Sequence, residues 1–401
     1  MLVGDSFTVC NNLRLPISSK VRDGMNGSYP YYGPTKIQGY INEYRVEGEF
    51  ALIGEDGDHF LKFDSVNQTQ LVSGKFNVNN HAHLIKGDVG SAKWFYWFFR
   101  NRDISIYLTR QGAGRFKLNK ASLERIQCAI PPTEEQLAIA KVLSDSDALI
   151  VSLEQLITKK QAIKTAAMQQ LLTGRTRMPQ FALRADGTPK GYKTSELGQI
   201  PEDWTIETLG GVTEIVRNGS NYSSVAKDGV AVTRIETIAT GYVDVGRTGV
   251  AVRESIHESY RVLRGDILYS HINSIDHIGK VARFDDDIEL FHGINLILIR
   301  TSAVNSLWLF KLLSGEEARK WARQVAKQAV SQASINTKEL KGLLLAVPST
   351  QEQTTIATIL SDMDSELTAL EQKLTKARDV KQGMMQQLLT GRIRLPLPQE
   401  A

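Results

Sequence analysis

Two histidines one residue apart, His81 and His83, and the acidic stretch "GEDGDH" at Gly54–His59 are the first places to look for chemistry in this 401-residue chain. On a strand, residues i and i+2 share a face, so the two imidazoles could act together. No cysteine or carboxylate stands beside them at metal-ligand spacing, and no metal is expected there. The acidic stretch has the composition of a nuclease loop, with Asp56 as its best seed, but its two glycines point to a turn. Asp285-Asp286-Asp287 reads as a solvated hairpin tip. No Gly-rich phosphate loop followed by Lys-Ser/Thr is present, "GAGRFK" at 112–117 breaks the dinucleotide pattern, and no Asn/Asp-Pro-Pro-Tyr/Phe segment occurs. The two cysteines, Cys10 and Cys128, are far apart and read as free thiols. The chain is therefore expected to carry no catalytic residue and to position something for another protein.

A second kind of chemistry is spread through the loops. Tyr32, Lys36, Gln38, Gln111, Arg115 and Lys117 lie in the first part of the chain. Arg217, Asn218, Ser220, Arg234, His271, Asn273, Lys280 and Gln332 lie in the second. Arginine and lysine suit phosphate and guanine, and the amides of asparagine and glutamine suit adenine. Any single one of these residues reads more readily as a solvated loop residue, and Tyr29–Tyr32 as either a packed turn or a stacking surface. The net charge of +4 permits an anionic partner without demanding one.

The elements that would position these residues announce themselves by repetition. "MQQLLTGRTRMP" at Met168–Pro179 returns as "MQQLLTGRIRLP" at Met385–Pro396, an offset of 217 (385 − 168 = 217). The same offset places Pro131 on Pro348, Gln136 on Gln353, Asp145 on Asp362 and Leu123 on Leu340. Each copy opens with proline and an S/T-x-x-Q pair, Thr133 with Gln136 and Thr350 with Gln353, the spacing of a capping box. In the second copy Ile356, Leu360, Met363, Leu367, Leu370, Leu374, Ala377, Met384 and Leu388 alternate by four and three, with Lys381 as the polar interruption. That is a heptad seam. The first copy keeps Ile139, Leu143, Ile150, Leu153, Ile157, Ala167 and Leu171, with Ser146, Lys160 and Lys164 in the gaps. Gly174 and Gly391 sit where a C′ glycine would close each helix. Two amphipathic rods of this kind bury each other's seams, and antiparallel pairing costs the linker least.

Upstream of each repeat lies a variable block of short β-rich runs, "EFALIG", "HAHLIKG", "DILYSHI" and "INLILIR", followed by a helix at 94–100 or 307–328. The expected class is α/β (α+β): two globular domains separated by a pair of long antiparallel coiled-coil helices, with an internal pseudo-two-fold repeat. The expected divisions are a domain at 1–130, a helix at 131–174, a linker at 175–195, a second domain at 196–347, a second helix at 348–391 and a tail at 392–401. Near-identity that includes polar positions suggests a partner surface on the rods: Gln136, Asp145, Gln155, Gln170 and Arg175, then Gln353, Asp362, Gln372, Gln387 and Arg392.

"PPTEEQLAIAKVLSDSD…MQQLLTGRTRMP" and "PSTQEQTTIATILSDMD…MQQLLTGRIRLP", with "SELGQIPEDWTIETLG" at Ser195–Gly210, resemble the specificity subunit of Type I restriction–modification systems. The resemblance covers nearly the whole chain. It implies that each variable domain reads one half of a split, asymmetric site in double-stranded DNA. It implies that the helices space the domains and dock two modification (methyltransferase) subunits, joined by restriction (translocase and nuclease) subunits. S-adenosylmethionine, ATP and Mg would then belong to those partners, with no cofactor in this chain, in a cytoplasmic complex. The chain starts at "MLVGDSFTV", the family's L-G-D point, without a counterpart of Trp204. The rival readings are the specificity subunit of a fused methylase–nuclease system and a non-catalytic coiled-coil scaffold for proteins.

Overall fold

The computed structural model describes residues 1–111, 115–224, 228–328 and 332–395. Residues 112–114 of "GAGRFK" and Pro396 of the second repeat fall outside that set. Two compact units divide the chain: Met1–Gln155 with Glu371–Ala401, and Leu156–Leu370.

In the first unit a six-stranded sheet is built from β1 (Phe7–Val9), β2 (Tyr29–Tyr32), β3 (Ile37–Ile41), β4 (Val46–Gly54), β5 (Thr69–Val78) and β6 (Ala82–Gly87). Their order is β1-β6-β4-β5-β2-β3, antiparallel except where β2 runs parallel to β5. Helix α1 (Ala92–Phe99), capped by Ser91, lays Trp94, Phe95, Trp97 and Phe99 into the core beside Ile53, Ile85 and Phe60. Tyr31 is buried, its hydroxyl donating to the Leu15 carbonyl at 2.7 Å and accepting from the Ile17 amide. Tyr29 packs on Tyr44, and Tyr32 is turned edge-on to Phe76. "YPYY" is thus a packed strand.

The second unit has a four-stranded antiparallel sheet of β7 (Thr213–Asn218), β8 (Ile267–Tyr269), β9 (Val281–Arg283) and β10 (Ile297–Thr301), ordered β7-β10-β8-β9. The single helix expected over 307–328 is two: α3 (Ser306–Ser314) and α4 (Glu316–Val325), broken at Gly315, whose extended backbone ends one and starts the other.

The repeat forms α2 (Thr133–Leu171) and α5 (Thr350–Leu388), 39 residues each. At 1.5 Å per residue each is about 60 Å long. Each helix gives one half to each unit. In the first unit the Leu388 end of α5 packs with Ile139 and Leu143 of α2. In the second, Met168 and Leu171 of α2 pack with Ile356 and Leu360 of α5. Within each unit the pairing is antiparallel. Ion pairs run Glu135–Arg394, Asp147–Lys381 and Glu154–Arg378 in one, and Lys160–Glu366, Lys164–Asp364 and Arg177–Glu352 in the other. One partner's number falls as the other's rises. The polar interruptions of the seam, Lys160, Lys164 and Lys381, are therefore its cross-links. Gly174 and Gly391 both adopt positive φ, 70° and 69°, past the last helical turn.

The capping boxes do not form. Thr133 and Thr350 are the first helical residues, one position too far in to cap. In α5 the cap is Ser349, whose hydroxyl accepts from the Glu352 amide at 3.3 Å. The glutamines bond instead to the backbone of the adjoining domain helices.

Candidate nucleic-acid interface

In the first domain an open cleft lies where the β2–β3 hairpin meets the end of β5. Its lining includes Arg22, Lys36, Gln38, Asn79, Asn80 and His81. Lys36 and Gln38 are exposed, as sequence reasoning requires of contact residues. Arg22, Asn79, Asn80 and His81 were not among the expected contacts. They sit on a short helix and a strand end that only the sheet's order brings beside β3. Tyr32 is half-buried on Phe76, so it serves packing before stacking.

Gln111, Arg115 and Lys117 belong to a hairpin, Thr109–Gln111 paired with Arg115–Lys117; of the Gln111 and Arg115 side chains nothing is described. Lys117 bridges its backbone to Asp56 and its ammonium to Glu55 at 3.2 Å. Arg14 reaches the same carboxylate at 2.5 Å. Burial would raise the Glu55 pKa, but the hydrogen bonds from Arg14 and Lys117 hold it below the ordinary value. Asp56 is taken by His81 at 2.9 Å. Two of the three acids of the turn, Glu55 and Asp56, are thus held by neighbouring side chains. The two histidines part company. His81 precedes the strand and is exposed. His83 is buried in β6, donating from Nε2 to the Leu118 carbonyl and accepting at Nδ1 from Asn11. Burial lowers its pKa and keeps it neutral. Among the described residues no group of three or more His, Cys, Asp or Glu is placed to hold a metal ion.

In the second domain the expected residues fall in two groups. Arg217, Asn218 and Ser220 leave β7 together. Arg217 stacks on Tyr260 at 4.5 Å and donates to the Ser259 carbonyl, and Arg234 reaches the Tyr222 hydroxyl at 3.5 Å. Asn218 and Arg234 are exposed and Ser220 half-buried. The other group is a small sheet in which Ile272–Asn273 and Lys327–Gln328 flank Ala333–Ser334, with Gln332 exposed just before the central strand. Asn273 donates to Ser270 at 3.2 Å, and Lys280 to the Ala239 carbonyl at 3.2 Å. His271 is a correction. Only 5% exposed, it cannot reach a base edge, and burial drives its pKa down to about 4. His292, fully buried, is pushed down to about 3 by the same cause. Both are neutral core groups. The Asp triplet is exposed, with Asp285 paired to Arg283 and Asp287 to Arg264.

On the rods, Asp145, Gln155, Gln170, Arg175, Asp362, Gln372 and Arg392 are exposed and Gln387 is half-buried. Gln136 and Gln353 are not surface residues, which corrects the expectation of partner contact. Both are at most 1% exposed. Gln136 accepts from the Ser91 amide at 2.8 Å and donates to the Pro131 and Val89 carbonyls. Gln353 accepts from the Asn305 amide at 2.7 Å and donates to the Pro348 carbonyl. Ser91 and Asn305 are the N-caps of α1 and α3, so each glutamine ties a rod to the domain helix beside it. Asp147 and Asp364 repeat the device, one holding Arg100 and Lys381, the other Lys311 and Lys164. Burial works to raise both carboxyl pKa values. The flanking cations win and hold them low. Much of the polar identity between the copies thus serves contacts within the chain.

Two polar-lined domains are thus each joined to one copy of a repeated helix by the same pair of side chains. The chain belongs to the family described as the Type I restriction modification DNA specificity domain, whose model matches residues 2–165 and 201–377. A specificity subunit assigned to type I restriction enzyme MjaX of Methanocaldococcus jannaschii is 38% identical over 207 residues, covering 50% of this chain and 49% of that one. The type I restriction enzyme MjaVIII specificity subunit of the same organism is 23% identical over 389 residues, covering 94% of this chain and 88% of that one. The crystal structure of the S subunit of a Type-I restriction-modification system from M. genitalium matches in fold, with a TM-score of 0.58 at 14% identity, covering 100% of this chain and 96% of that one. No helix among the described residues is long and apolar enough to cross a membrane.

Proposed function

We propose that this chain is the non-catalytic specificity subunit of a cytoplasmic Type I restriction–modification complex, in which each variable domain reads one half of a bipartite, asymmetric DNA site. The observation that carries the reading is the repeated joint, Gln136 and Asp147 in one unit and Gln353 and Asp364 in the other, which fixes an unlike polar head to each copy of one rod. The rods set the spacing of the heads. Their exposed residues Asp145, Gln155, Gln170, Arg175, Asp362, Gln372 and Arg392, with Gln387, dock the modification subunits. S-adenosylmethionine, ATP and Mg belong to those subunits and to the restriction subunits. Family membership supports the division of labour.

The test is selection from random duplexes by the full chain. A split motif with two unlike halves should be enriched. Because phosphate contacts release counterions, affinity should fall by roughly a thousand-fold or more between about 50 and 200 mM salt if six or more phosphates are engaged. A salt-independent affinity, or enrichment of no motif, removes DNA reading from the proposal.

A further inference from the structure

The cleft of the first domain contains a side-chain relay whose polarity is fixed by the backbone. Asn79, 4% exposed, follows the last residue of β5, and its own amide donates to the Tyr32 carbonyl at 3.0 Å. Its side-chain oxygen accepts from the His81 backbone amide at 2.9 Å. A backbone N–H can only donate, so that contact settles which end of the Asn79 amide is oxygen. The other end, Nδ2, then faces Gln38 and donates to its Oε1 at 3.1 Å. Gln38 in turn points its oxygen at Asn79, and its Nε2 lies over Gly33, where an added Cβ would come within 2.4 Å of it.

We infer that Asn79 is a positioning residue that sets the hydrogen-bond polarity of Gln38, and that Gln38 so oriented specifies one base of the first half-site through a major-groove acceptor. The inference rests on the DNA-reading function proposed above. The remaining groups fit it. Arg22, half-buried over the Tyr31 ring at 5.2 Å, and the exposed Lys36 flank the amide as cations for phosphate. An amide with its donor forward addresses purine N7, and its second oxygen lone pair can accept from adenine N6 in the bidentate mode. An exposed glutamine free to flip would offer donor and acceptor alike and discriminate poorly. The buried asparagine removes that freedom without touching DNA.

Duplex selection with variants of the full chain tests this. Asn79→Asp keeps an acceptor for the His81 amide but presents only acceptors to Gln38, which must turn its NH2 inward and its oxygen outward. Gln38→Glu puts acceptors forward directly, at an exposed position where folding is not at stake. Both should change the preferred base at the same single position of one half-site, by on the order of ten-fold or more in selectivity, and leave the other half-site and the spacer as in wild type. If either folded variant selects the wild-type motif, the inference is overturned while DNA reading stands. If the wild-type chain enriches no split motif, DNA reading fails and this inference with it. Should Asn79→Asp not fold, a wild-type motif from Gln38→Glu overturns the inference alone.

Discussion

At the scale of single residues, pseudo-symmetry does not mean equal energetics. Arg177 pairs with Glu352 at 2.6 Å, and Arg394 with Glu135, the same two repeat positions exchanged. Their surroundings differ. The Arg177 side chain is 6% exposed and also holds Asp203, while the Trp204 indole donates to Glu352 at 3.1 Å. The Arg394 side chain is 65% exposed. Losing Glu352 leaves Arg177 with Asp203 as its remaining partner and removes hydrogen bonds to a charged group, about 1.5–3 kcal/mol, whereas a cation left in water costs about 1 kcal/mol or less. Glu352→Gln should therefore lower the urea-unfolding free energy by about 2 kcal/mol, and Glu135→Gln by under about 1 kcal/mol. Equal losses would show that exposure does not govern these pairs. This pairing was open to reading in the sequence: Glu135, Glu352, Arg177 and Arg394 all lie at the repeat offset. Polar identity was instead credited to an outside partner, because periodicity reports which face a residue occupies and not what stands opposite it.

At the scale of elements, the rods were the most legible part of the molecule and the heads the least. A heptad seam closed by glycine is local information, and both rods formed with Gly174 and Gly391 at positive φ. Their starts were misread by one residue, since Thr133 and Thr350 satisfy the capping pattern but Pro132 and Ser349 precede the first turn. The cleft was half legible. Gln38 and Lys36 showed themselves as hairpin polars, but Asn79 joins them only because β2 lies between β3 and β5 in the sheet, a pairing with no local signature. The two terminal glycines give a sharper test of element ends. At Gly391 no neighbour lies within reach of an added Cβ, so Gly391→Ala should cost only the left-handed backbone penalty of about 1–2 kcal/mol. At Gly174 the same Cβ would meet the buried Pro201 at 2.5 Å from its Cγ and Trp204, part of the second unit's core, at 3.1 Å. Gly174→Ala should cost about 1–3 kcal/mol more by overpacking. Comparable melting shifts for the two variants would show that Pro201 and Trp204 yield freely.

At the scale of the whole molecule, the proposal that rods set spacing can be isolated from the chemistry of reading. The joint residues stand equally far apart on both helices: Asp147 to Lys164 on α2 and Asp364 to Lys381 on α5 are each 17 positions (164 − 147 and 381 − 364). Between them lie the rod-to-rod pairs Glu154–Arg378 and Lys160–Glu366. Removing the same heptad from both stretches, within 148–163 and 365–380, keeps every joint partner and the phase of the apolar seam, because seven residues restore the same face. It shortens each rod by about 10 Å, which is about three base pairs of duplex. The shortened chain should select both half-site sequences unchanged with a spacer reduced by about three base pairs. Removing four residues from each stretch should fail differently. It rotates the seam against its partner and swings one joint off its head, so stability and selection should be lost together. If the heptad-deleted chain folds and selects the original spacer, the length of the rods does not determine where the two heads bind.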